Sequence, residues 1–245
     1  MRLVFATILV CAISPVALRG WDAGGDRLLR DLQTAADDER RIEIVAALGA
    51  VGSDPVRLAL EAIALNGGEP SMLRMQAICA LGGSATRDTV PVLMTILERD
   101  LQERQGYWAC AIPLLGALAD RRAVDLLKQI SELQEAHLAG MDHMAIEAVA
   151  AMADIDDAGF LERKAHIGAV RPAVFEALAR IAEPSTAATL ATGLLSGEDE
   201  RTVAAAETGL LAIGSPARDV LTDMLETLED DVMQRRAKAL LEQME

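Results

Sequence analysis

The amino-acid sequence predicts an all-α fold, a right-handed α-solenoid of about six helix pairs closed by a C-terminal capping helix. Three observations support this. The 245 residues are 51% hydrophobic but only 2% aromatic, so the apolar content is Ala, Leu, Val and Ile. Ala and Leu are strong helix formers, whereas strands draw on aromatic and β-branched side chains. A short leucine-centred motif returns along the chain, and Gly, Ser, Asp and Pro punctuate the intervals between its copies.

The motif reads A-L-G-A-V-G at Leu48, A-L-G-G-S-A at Leu81, L-L-G-A-L-A at Leu115, A-A-M-A-D-I at Met152, A-L-A-R-I-A at Leu178 and G-L-L-A-I-G at Leu210. Successive intervals are 33, 34, 37, 26 and 32 residues, the period of helix-pair repeats that stack into solenoids.

The elements follow in order. Arg2, an apolar run from Leu3 to Ile13 and small residues beyond it have the layout of a secretory signal. The run is shorter than the roughly 20 residues a membrane-spanning helix needs. Residues 1–20 are therefore expected to be a signal peptide, and the mature protein to be periplasmic or extracellular; if the segment is not cleaved, the protein is cytoplasmic. Residues 21–36 read as an N-terminal cap region, 37–230 as the repeat array, and 231–245 as the capping helix.

In the first unit Ile44, Ala47, Leu48 and Val51 follow the i, i+3, i+4, i+7 spacing of one helical face. Gly52 is expected to take a left-handed turn, Asp54 to cap the next helix, and Pro55 to occupy its first position, where the missing N–H costs nothing. The second helix then offers Leu58, Ala62, Ile63 and Leu65 to the core. Arg87-Asp88, Asp120, Glu183-Pro184-Ser185 and Gly214-Ser215-Pro216 repeat this grammar. The fourth unit lacks Gly and Pro punctuation, and the spacings of 37 and 26 around it predict a displaced or bent unit between Gln134 and Ile167.

The stretches A-L-G-A-V-G-S-D-P-V, A-L-G-G-S-A-T-R-D-T-V-P-V-L and L-L-A-I-G-S-P-A-R-D-V-L resemble HEAT-like repeats of the short bacterial kind, the type first associated with phycobilisome lyases, from about Asp37 to Asp230. The resemblance implies the helix-pair solenoid. It says little about activity, because such arrays serve scaffolds, adaptors and a few enzymes.

Acidic residues outnumber basic ones 38 to 23, for a net charge of -15. That surface repels phosphate backbones and anionic lipid, so nucleic acid is excluded as a partner and no stable membrane span is expected in the mature protein. Cys79 lies two residues before its repeat leucine and Cys110 five before its own. On helices packed 8–10 Å apart this offset argues against a bridge and for two buried small residues.

Sites of chemistry are sparse. The histidines are His137, His143 and His166. A metal reading would gather His143, Glu147 and His166, with Asp142. Iron-binding HEAT-like enzymes of the deoxyhypusine hydroxylase type use His-Glu dipeptides, and the chain contains none, so the pairs read as charge neighbours on helices. G-x-S-x-G, C-x-x-C, G-x-G-x-x-G and glycine-loop G-K-[ST] motifs are all absent. No cofactor is expected. Holding a tetrapyrrole would need an apolar groove with aromatic and basic contacts; after Trp21 the aromatic residues are Tyr107, Trp108, Phe160 and Phe175.

Pro184 to Gly197 contains no charge in an otherwise acidic chain, so that helix is either covered by neighbours or binds a partner. Its partner-binding candidates are Thr186, Thr189, Thr192 and Leu195. The functional expectation is a non-catalytic interaction scaffold or adaptor, not an enzyme, presenting a curved acidic surface to a protein or peptide with basic or apolar groups. The alternative is a lyase-like or metal-dependent HEAT-repeat enzyme centred on the fourth unit. A third possibility is self-association along the charge-free helix.

Overall fold

The computed structural model describes residues 22–103, 106–133, 140–196 and 199–244. The expected signal peptide, Trp21 and His137 lie outside these residues. The described residues contain fourteen α-helices and no strand, and they divide after Ser84 into two compact units. None of the described helices is long and apolar enough to cross a membrane.

The first unit holds α1 (Asp22–Thr34), α2 (Asp38–Leu48), α3 (Asp54–Leu65) and α4 (Ser71–Ala80). The Asp37 carboxylate accepts the Arg40 N–H at 2.8 Å, and Asp38 and Glu39 place negative charge against the positive end of α2. α1 packs on α2 and α3 as the N-terminal cap.

Three local expectations are corrected here. The buried stripe of α3 is Val56, Leu60, Ile63 and Ala64, while Leu58 is 55% exposed and Ala62 is exposed. The helix is turned because the Arg57 guanidinium donates to Glu61 at 2.8 Å within the buried face, and Asp54 bonds the same arginine instead of capping. Gly52 does not take a left-handed conformation. A Cβ there would stand 3.1 Å from the Gly83 carbonyl oxygen, so its service is close approach.

The second unit holds α5 (Val90–Glu103), α6 (Trp108–Leu118), α7 (Val124–Ser131), α8 (Met141–Met152), α9 (Ala158–Lys164), α10 (Arg171–Ile181), α11 (Ala187–Ser196), α12 (Glu200–Ile213), α13 (Ser215–Thr227) and α14 (Asp231–Gln243). First helices pack in series: α6 on α8, α8 on α10, α10 on α12. Small residues permit this. A Cβ on Gly116 would lie 3.1 Å from that of Ala148, and one on Gly209 would lie 2.8 Å from the Ala179 Cα. α14 closes the array against α11 and α13.

In the described part of the fourth pair, from Gly140 on, α8 packs on both α6 and α10. Its interval of 26 reflects α9, only seven residues long. The missing glycine has a substitute: the Arg121 guanidinium donates to the Met152 carbonyl at 3.1 Å and Arg180 to that of Ala150 at 2.7 Å. These are carbonyls of the last turn, which have no partner within the helix. Arg121 and Lys128 also bind the buried Asp157, at 2.6 and 2.5 Å.

The cysteine expectation is overturned. Cys79 is exposed, Cys110 is half-buried, and both are disulfide-bonded.

Candidate functional site

Hollows open on the described part of the second unit, and three of them bear on function. One of about 410 Å³ between α10 and α12 is floored by alanines, and its Arg201 is paired to Glu176 at 2.7 Å. One of about 210 Å³ between α6 and α8 holds Glu147 beside Pro113 and Met144. The third, about 350 Å³, combines an aromatic floor with titratable walls, and it is the candidate site.

Its floor comes from α10 and α11. Phe175 is 3% exposed, and its ring rests where the α11 backbone carries Gly193. A Cβ on that glycine would meet ring Cδ1 at 2.6 Å and Cζ at 2.7 Å. Thr189 and Ser196 stand one turn to either side of Gly193, and with Thr192 they form the stripe of α11 that faces the hollow. The opposite wall is the end of α9 and the turn after it, with Glu162, Ala165 and His166.

Most of the polar groups are committed to the protein. Thr192 donates to the Ala188 carbonyl at 3.0 Å and Ser196 to that of Gly193 at 3.1 Å. Arg171 donates through Nε to the Ala165 carbonyl at 3.2 Å and through a terminal nitrogen to that of His166 at 3.4 Å. Asp199, the cap of α12, lies within the field of Arg171. Thr189 donates to Glu162 Oε1 at 3.0 Å, tying α11 to α9. Among the described residues Glu162 has no cationic partner, and the His166 ring makes no hydrogen bond. The hollow therefore offers an ionisable acceptor and an imidazole beside an apolar floor, a combination suited to binding and proton transfer.

The metal candidates are not assembled. His143 sits 3.7 Å from Asp142 on α8, Glu147 lines the α6–α8 hollow, and His166 belongs to the α9–α11 hollow. No group of three or more metal-ligating side chains occurs among the described residues. The partner-binding candidates divide: Thr186 and Leu195 are 0% and 4% exposed, inside the core, while Thr189 and Thr192 reach the cavity. Arg171 and Phe175 were missed as members of the site; the usable signal was a glycine at Gly193 in mid-helix, where it is otherwise unfavourable.

No family model matches the chain, and no curated protein matches it in sequence. Solved structures share its fold. The complex of CpcE and CpcF of phycocyanin lyase from Nostoc sp. PCC7120 matches with a TM-score of 0.51 and 21% identity, over 90% of this chain and 94% of that one. An engineered protein matches with a TM-score of 0.55 and 20% identity, over 90% of this chain and 68% of that one. The fold is that of a HEAT-like helical-repeat protein. These findings correct the expectation that the chain is not an enzyme. One chain of a lyase complex has this architecture, over 90% of this chain and 94% of that one, so the fold gives no ground for excluding an enzyme.

Proposed function

We propose that this HEAT-like repeat chain is a lyase-type protein that holds a small-molecule substrate in the α9–α11 cavity and adds it to a protein partner. The observation behind the proposal is that cavity: an aromatic floor, Glu162 and His166 on one wall, and hydroxyls on the other. A lyase forms or breaks a bond by addition or elimination and not by hydrolysis, so it needs a surface to seat the substrate and a group to take or return a proton. Glu162 and His166 are the available proton-handling groups, and Phe175 is the seat. The match to a two-subunit lyase complex supports both the reaction class and the partner. A net charge of -15 suits a partner with basic or apolar groups at its contact surface. Export through residues 1–20 belongs to the proposal and agrees with disulfide-bonded cysteines, which persist in oxidising compartments.

The test is transfer. The partner is recovered on the immobilised chain from the native compartment, then incubated with purified chain and a small-molecule extract of the same compartment, and intact-mass spectrometry follows the partner. The expected result is a mass gain equal to one whole small molecule, dependent on the chain and reduced at least about tenfold by Glu162→Gln. A partner that binds and never changes mass would overturn the lyase reading.

A further inference from the structure

We infer that Glu162 is the ligand-recognising group of the α9–α11 cavity, so that the cavity selects a molecule joining an apolar ring to a hydrogen-bond-donating nitrogen, a protonated amine above all, over one ending in a carboxylate. The inference rests on reading this cavity as the substrate site and adds the chemistry of what enters it.

A cavity recognises a ligand with the groups that its own fold has not used. Thr192 and Ser196 have given their protons to backbone carbonyls of their own helix. Arg171, the cation that would attract a carboxylate, is spread over the Ala165 and His166 carbonyls, has Asp199 nearby, and makes a further interaction with the protein. Glu162 differs: a half-buried carboxylate whose Oε1 accepts a single bond, from Thr189, and which forms no ion pair among the described residues, Arg171 on the same lining being engaged with backbone carbonyls. An ionised carboxylate is an acceptor at both oxygens. Its unmet demand is for a donor, and a cationic donor satisfies its charge as well.

Thr189 has a second effect. By holding Oε1 it fixes the carboxylate plane and leaves Oε2 for the ligand, so it acts as a positioning residue. Charge alone elsewhere on the protein gives no such geometry. The requirement for an apolar ring comes from Phe175 and the alanine at Ala165 beside it on the lining.

The test uses two probes with the same ring and opposite charge at neutral pH, tryptamine and indole-3-acetate, titrated separately into the full 15N-labelled chain. Nuclear magnetic resonance follows the amides of Ala165, His166, Thr189 and Gly193. Tryptamine is expected to move these amides with a Kd at least about tenfold below that of indole-3-acetate, the scale of one charge-assisted hydrogen bond. Glu162→Gln keeps an acceptor for Thr189 yet abolishes the preference; Thr189→Val reduces it in part. Asp223→Asn, on the exposed face of α13, removes the same formal charge and leaves the preference intact, which separates local recognition from the general pull of an acidic protein.

Equal affinities, or a preference for indole-3-acetate, would overturn the inference while leaving the cavity as the substrate site. If neither probe moves these amides, the inference falls together with the placement of the site.

Discussion

Replacing Gly193 by alanine tests the floor of the site and the packing of the fold in one step. On α11 alone the change should help, because alanine is about 1 kcal/mol better than glycine in a helix interior. The structure reverses the sign. The new Cβ would fall on three atoms of the Phe175 ring, nearest to Cε1 and 2.6 and 2.7 Å from Cδ1 and Cζ, at least about 1 Å inside ordinary contact distance. Phe175 is 3% exposed, so the ring has one direction of retreat, into the neighbouring cavity of about 350 Å³. Overpacking of this kind costs about 1–3 kcal/mol. With three ring atoms involved we take the upper part of that range; less the helix gain, the net loss is about 1–2 kcal/mol.

For a unit of this size that corresponds to a fall in Tm of about 2–8 °C, readable by far-ultraviolet circular dichroism with urea midpoints as the second measure. Because the displaced ring enters the hollow, tryptamine binding should weaken as well. Phe175→Leu removes the obstacle at its own cost in packing, and the double variant should be at least about 1 kcal/mol more stable than the two single losses added together. A Gly193→Ala variant as stable as the parent, or more so, would refute the arrangement: helix propensity would then be the whole effect, and Phe175 would not lie on the glycine.

Ala119 and Ala182 end α6 and α10 at φ 48° and 49°, a left-handed conformation that costs an L-residue about 1–2 kcal/mol; glycine there should stabilise by about 0.5–1 kcal/mol after its larger loss of chain entropy, visible as a raised urea midpoint for each variant and for the pair. Arg180→Ala leaves the Ala150 carbonyl without its 2.7 Å donor and should cost about 1–2 kcal/mol, a loss that Arg180→Lys recovers in part; an unchanged midpoint would remove the arginine from the closure of α8. Burial, the largest influence on Asp157, raises its pKa, but Lys128, the Asp154 backbone and Arg121 together outweigh it, and the net shift is downward. A folded pKa below the unfolded value near 3.9 stabilises the protein above that value, and the benefit is lost as pH falls through the folded pKa. Asp157→Asn should therefore be less stable at pH 7 and show a shallower loss of Tm between pH 5 and 2 than the parent; parallel curves would contradict it.

The fold was legible because its signals are local. A leucine-centred motif, a cap and a break fall within a dozen residues of one another, so spacing alone places the helices. Phase was less secure. On α3 the choice between Leu58 and Leu60 as the buried leucine depends on Arg57 and Glu61 bonding each other inside the packed face, which hydrophobic spacing counts as two polar residues to be turned outward. The closure of α8 was illegible for a similar reason: its arginines come from about 30 residues away in either direction along the chain, and a search for glycine beside the helix cannot find them.

The cavity lies beyond local reading altogether, because α9, α10 and α11 each contribute a part that looks ordinary alone. The missing charge on α11 nevertheless had a physical cause. Thr186 and Leu195 face the core, and Thr189, Thr192 and Gly193 face a hollow whose charged groups, Glu162 and Arg171, come from neighbouring helices. A charged side chain on that stripe of α11 would compete with Glu162 for the same space, and a side chain at Gly193 would push Phe175 into it. The absence of charge and the absence of bulk are thus one requirement, to keep open a space lined by neighbours. Part of the ambiguity between a covered helix and a binding helix came from treating the two as exclusive, when α11 is buried along one stripe and forms a cavity wall along the next.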